Sequence, residues 1–134
     1  MKVFVDTSAW IALLNKRDGL HLSAKSVMSD LRQQNAWLLT TDLIFIEVAD
    51  ALGKPPMRQT TIAYLNRWRS FQNLDIVPIN KIPLEEAWSL YYQRLDKDWG
   101  LTDCTSFVVM RQENITHAFT SDRHFEQAGF VKML

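Results

Sequence analysis

Five short apolar runs separated by helix-type stretches constrain this chain more than any other feature. Lys2 to Val5 reads as a strand, and Asp6, Thr7 or Ser8 can cap a helix whose stripe runs through Trp10, Ile11 and Leu14. Ala24, Val27, Met28 and Leu31 repeat at the spacing of one buried helix face, and a short strand follows around Trp37 to Leu39. Asp42 is placed to cap a helix through Ile44, Val48 and Ala51 that Gly53-Lys54-Pro55-Pro56 breaks. Ile62, Leu65, Trp68 and Phe71 mark the next helix, and Asp75 to Ile79 the third strand. Leu84, Ala87, Trp88, Tyr91 and Leu95 give the cleanest helical period, starting after Pro83 and ending near Gly100. Thr102 is expected to cap a further helix; His117 to Thr120 forms a strand, Ser121 or Asp122 opens a last helix that Gly129 ends, and Phe130 to Leu134 adds a final strand. This alternation predicts a mostly parallel sheet covered by helices on both faces, a three-layer α/β/α sandwich with right-handed crossovers. It does not fix the strand order.

At 134 residues, with 47% hydrophobic and 22% charged residues, the expectation is one domain over 1–134 with a core large enough to need no disulfide or structural metal. The single cysteine, Cys104, has no partner, and the opening MKVFVDTSAW is too short an apolar run for a signal peptide or membrane span; a reducing, cytoplasmic setting is expected. A formal net charge of zero excludes tight non-specific binding to nucleic acid through phosphates alone. Lys54, Arg58, Arg67 and Arg69, and again Lys97, Arg111 and Arg123, read first as solvated helix faces.

The chemistry lies in where the acids fall. Asp6, Glu47, Asp103 and Asp122 each sit where an apolar β-type run gives way to a helical pattern. In open α/β sheets the active site forms outside the carboxyl ends of the strands, so acids at several such junctions converge on one crevice. Convergent carboxylates repel one another and either hold their protons or bind a cation, and hard oxygen donors in this number suit Mg²⁺ or Mn²⁺ better than Zn²⁺. Asp103, in a helix's first turn, is expected to be ionised. Capping explains Asp103 or Asp122 individually. It does not explain Asp6, which follows a strongly apolar strand, or Glu47, which interrupts the run IFIEVADAL. His21, His117 and His124 lack zinc-ligand spacing; His124 beside Asp122 is placed to contact substrate, but reads first as a surface or packing residue.

VDTSAWIALL near the start, the glutamate in IEVADAL, GLTDCTSF and FTSDRHFEQAGF together resemble the PIN-domain proteins of the VapC type, toxins of bacterial toxin–antitoxin pairs. The match runs over nearly the whole chain. What the resemblance implies is an α/β/α sandwich and a Mg²⁺- or Mn²⁺-dependent ribonuclease, with Asp6, Glu47, Asp103 and Asp122 as the acidic quartet. It further implies that Asp6, Asp103 and Asp122 hold the metal, Glu47 aids the metal or the attacking water, and Ser8 and Thr120 contact metal-bound water. RNA as substrate, a small antitoxin over the crevice and a homodimer follow from the same resemblance. Trp99 before Gly100 marks a subgroup.

Other classes fit less well. A haloacid-dehalogenase-type phosphatase needs Asp-x-Asp after the first strand, where this chain has Asp6-Thr7-Ser8, and a response-regulator receiver needs paired acids there. A noncatalytic module that binds metal or a basic partner through the same acids is the remaining alternative. Trp68 and Trp88, on helical apolar stripes, read as core or as a dimer face.

Overall fold

The computed structural model describes all 134 residues. Five strands, β1 (Lys2–Val5), β2 (Trp37–Thr41), β3 (Leu74–Val77), β4 (His117–Phe119) and β5 (Val131–Lys132), form one sheet in the order β3-β2-β1-β4-β5. Every neighbouring pair is parallel, so the sheet is wholly rather than mostly parallel. The apolar run at the N-terminus forms the central strand because both its faces are covered: Val3, Phe4 and Val5 are fully buried.

Seven helices connect the strands: α1 (Thr7–Leu14), α2 (His21–Gln33), α3 (Asp42–Ala51), α4 (Pro55–Arg69), α5 (Leu84–Gln93), α6 (Leu101–Gln112) and α7 (Arg123–Gln127). The chain steps outward from β1 to β2 to β3, returns to the other side of β1 as β4, and ends at β5. Right-handed crossovers taken in opposite directions place α1 to α4 on one face and α5 to α7 on the other, the expected three-layer sandwich. The reversal occurs between β1 and β4. A crevice opens there, outside the carboxyl ends of the two strands.

One cluster of 30 buried residues fills both layers. Beneath α1, Trp10 packs edge-on against Phe45 and Trp68 at 5.5 and 5.0 Å between ring centroids, and its indole N–H reaches Thr40 Oγ1 at 3.3 Å. Beneath α6 and α7, Phe107 meets Trp99 and Phe125 edge-on, each at 5.0 Å.

Several boundaries differ from the sequence reading. Thr41, not Asp42, caps α3: its backbone is extended and its hydroxyl accepts the Ile44 N–H at 3.1 Å, leaving Asp42 in the first turn, 3.7 Å from Arg69. The cap residue of α6 is Gly100 rather than Thr102, because the Asp103 carboxylate reaches back to the Gly100 N–H at 3.1 Å. β3 ends at Val77, and the last strand is reduced to Val131–Lys132. Of the two tryptophans read as core or dimer face, Trp68 packs against the core, whereas Trp88 is 43% exposed and stacks on Tyr92.

Candidate active site

The four acids come to the crevice from both helical layers. Asp6 ends β1 and caps α1, and Glu47 stands on the second turn of α3; Asp103 lies in the first turn of α6 and Asp122 caps α7. The expected convergence is present.

Asp6 is the most constrained of them. It is 7% exposed, and its backbone N–H donates to Phe119 O at 3.0 Å, which ties the end of β1 to the end of β4. Thr120, fully buried, donates its hydroxyl to Asp6 Oδ2 at 2.7 Å. Ser8 Oγ donates to the same Asp6 Oδ2 at 3.4 Å, lies 3.1 Å from Thr120 Oγ1, and accepts the Ser121 N–H at 3.0 Å. Asp122 N–H donates to Thr120 Oγ1 at 3.0 Å. The two hydroxyls therefore converge on one oxygen of the Asp6 carboxylate and fix it in place. Ser8 and Thr120 thus lie beside Asp6.

Burial pushes the Asp6 carboxyl up to about 7, against the lowering effect of the Thr120 hydroxyl and the Thr7 N–H; Asp103 and Glu47 add like charge. Asp103 is also raised, mainly by burial and in spite of hydrogen bonds from Gly100 and His124. Glu47 is raised by desolvation and by Asp103, although it accepts the Thr7 hydroxyl at 2.6 Å. None of the four is within 4.0 Å of a lysine or arginine nitrogen.

This donor set is suited to a divalent cation: several oxygen ligands, one of them buried, with no lysine or arginine beside them. The tightest group is Asp103, Asp122 and His124, which each place one donor atom within 4.8 Å of the others. Asp6 and Glu47 lie outside that group. His124, which the sequence offered only as a substrate contact or a surface or packing residue, stands here directly against two of the acids. The available signal was its place two residues after Asp122 at the start of a helix, where a side chain turns back over the cap. Trp99 is structural: it is buried, donates its indole N–H to Gln127 Oε1 at 3.0 Å, and lies beneath the Arg94 guanidinium.

The PIN domain family model matches residues 3–131 of this chain. The chain belongs to the PIN domain family. The VapC resemblance is borne out over the full length. The chain is 27% identical over 134 residues to the 23S rRNA-specific endonuclease VapC20 of Mycobacterium tuberculosis, covering 98% of this chain and 97% of that one. The crystal structure of M. tuberculosis VapC20, a Sarcin-Ricin loop cleaving toxin, superposes with a TM-score of 0.82 at 28% identity and covers 96% of each chain. VapBC2 from Rickettsia felis, bound to a DNA fragment from its promoter, aligns with a TM-score of 0.74 at 16% identity, covering 98% of this chain and 97% of that one. FitAcB from Neisseria gonorrhoeae aligns at 0.66 and 14%, covering 97% and 95%. These last two show the fold alone.

In this PIN domain the pair of hydroxyls supplies a direct test of how Asp6 is held. Thr120→Val keeps the side-chain shape, removes the shorter of the two hydroxyl hydrogen bonds to Asp6, and leaves the Asp122 N–H without its acceptor. The expected result is a loss of about 10–100-fold in divalent-metal affinity with the fold retained, read by calorimetric titration and circular dichroism. Unchanged affinity would remove Thr120 from the site's support.

Proposed function

We propose that this chain is a Mg²⁺- or Mn²⁺-dependent endoribonuclease and the toxin of a toxin–antitoxin pair. The observation that carries the reading is the convergence of Asp6, Glu47, Asp103 and Asp122 at the β1/β4 reversal with no lysine or arginine beside them. The endonuclease named among its full-length relatives supports it.

Asp6, Asp103 and Asp122 would hold the ion, with Glu47 beside them. A bound Mg²⁺ or Mn²⁺ lowers the pKa of a water and neutralises charge on the phosphoryl oxygens. The protein's own residues do the positioning. Thr120 and Ser8 hold Asp6 in one orientation, beside where their contact with metal-bound water would be made. Glu47, more exposed than Asp6 and raised by its surroundings, is the carboxyl best placed to accept a proton from the attacking water. Thr7 fixes it through the 2.6 Å hydrogen bond.

The relative's specificity for 23S rRNA and its cleavage of the Sarcin-Ricin loop make a structured RNA loop the substrate class to test first. A small antitoxin covering the acidic crevice is the matching partner. Pairing of two copies would bury the exposed aromatic face of α5, where Trp88, Tyr91 and Tyr92 are 43, 40 and 67% exposed; sedimentation velocity reads this directly.

The deciding experiment incubates the purified protein with single-stranded and hairpin-loop RNAs, with Mg²⁺, with Mn²⁺ and with EDTA, beside a folded Asp103→Asn variant. Expected is cleavage that EDTA abolishes and the variant loses by on the order of a thousandfold. Metal-independent cleavage, or full activity in the variant, would overturn the reading. Metal binding without cleavage of any RNA would favour the noncatalytic module. No helix of the chain is long and apolar enough to cross a membrane.

A further inference from the structure

We infer that His124 is a nitrogen donor to the metal of this site and biases it toward Mn²⁺ over Mg²⁺, an inference that rests on the metal-dependent reading above. Its Nδ1 lies 3.0 Å from Asp103 Oδ2 and 3.4 Å from Asp122 Oδ1. Donors at right angles about a common centre, each about 2.1 Å from it, stand about 3 Å apart, so the imidazole nitrogen lies at about the spacing of an adjacent ligand from each carboxylate oxygen, and all three donor atoms fall within 4.8 Å of one another.

The ring is held there by the backbone. The His124 N–H donates to Asp122 Oδ1 at 2.9 Å as part of the α7 cap, which folds the side chain toward the crevice. Its side chain is 18% exposed and that of Asp103 22%, so water has limited access to the contact. The other two histidines are engaged elsewhere, His21 Nδ1 2.7 Å from Ala12 O and His117 Nδ1 2.9 Å from Thr116 Oγ1.

Donor chemistry then gives selectivity. Mg²⁺ takes oxygen ligands almost exclusively and keeps several waters, whereas first-row transition ions accept imidazole readily. An imidazole added to the carboxylates strengthens the site for Mn²⁺ and gains nothing for Mg²⁺. In the ligand form the ring carries its proton on Nε2 and presents the Nδ1 lone pair to the ion. The rival role is a hydrogen bond from Nδ1 that orients Asp103, which favours both ions equally.

Two measurements on the full-length protein separate these roles. In pulsed electron paramagnetic resonance of the Mn²⁺-loaded wild type, the expected result is ¹⁴N modulation that changes to the ¹⁵N pattern when the protein is grown with ¹⁵N-imidazole histidine. That comparison needs no variant. In calorimetric titrations, His124→Asn, which keeps an amide donor near the Nδ1 position, is expected to weaken Mn²⁺ binding about 10–100-fold and to change Mg²⁺ binding little. Mn²⁺ bound without histidine-nitrogen modulation, or equal losses for both ions, overturns the inference and leaves the nuclease reading standing. Failure of the wild type to bind Mn²⁺ overturns both. Histidine modulation without RNA cleavage upholds the inference while the nuclease reading falls.

Discussion

Replacing Asp6 with Asn is expected to stabilise the metal-free protein above neutral pH while removing the RNA cleavage proposed for it. Asp6 is buried and its carboxyl sits at about 7 in the folded chain, well above the ordinary 3.8. Below about pH 4 both folded and unfolded chains hold the proton, and there is no penalty. Between the two values the unfolded chain releases the proton and the folded one keeps it, so folding stability falls as pH rises. Above about pH 7 the cost is constant, at roughly 3–5 kcal/mol for a shift of this size. Asn carries no charge and keeps an oxygen for the Thr120 hydroxyl, so it escapes that cost. Urea unfolding in EDTA should show the variant matching the wild type at pH 4 and exceeding it by several kcal/mol at pH 8, on the order of the penalty removed. Added Mg²⁺ or Mn²⁺ should reverse the ranking, because binding to the native state stabilises the wild type and not the variant. A wild type whose metal-free stability is flat from pH 4 to pH 8 would show that Asp6 meets a compensating group.

Phe125→Ala is expected to cause the largest loss of stability. Phe125 is the only fully buried side chain of α7, a helix of five residues, and it packs edge-on against Phe107 at 5.0 Å and beside Phe4 at 6.3 Å. Removing a buried ring of this kind costs about 3–5 kcal/mol, since the surrounding rings cannot collapse onto the space. For a chain of this size that lowers the melting temperature by roughly 10–20 °C in calorimetry. The consequence reaches the site, because the helix that Phe125 anchors carries Asp122 at its cap and His124 in its first turn. Cleavage and metal affinity should both fall in the variant at temperatures where it remains folded, and Phe125→Leu should recover most of each. A loss below about 1 kcal/mol would mean that the end of β4, rather than the core beneath α7, holds Asp122 in place.

The strands and most helices were legible because their apolar periods are local. Caps were less so where two competent residues are neighbours: Thr41 and Asp42 both qualify, and only the extended backbone at Thr41 decides between them. At α6 the residue that satisfies the free N–H group is Asp103, inside the helix, so the helix begins before the threonine that resembles its cap. α5 stops at Gln93 although the apolar period continues to Leu95; that residue is 90% exposed, and Arg94 turns to Asp96 at 2.9 Å instead. Strand order was hidden because pairing is a property of distant segments. For the same reason the four acids could be found at their junctions, while the convergence of the Ser8 and Thr120 hydroxyls on Asp6 could not, and His124 read first as a surface or packing residue.

The hydrogen bond from Thr120 to Asp6 joins residues 114 positions apart. Closing so long a loop is among the last gains available to a folding chain, since its entropic cost must be met before the contact returns anything. On a ribosome, a nascent chain that has emerged only as far as Gln112 would carry Asp6, Glu47 and Asp103 but neither β4 nor α7. Its first strand would have no neighbour on that side, and its acids no opposing wall. The site is thus completed only by the final segment, and no shorter chain presents its four acids assembled.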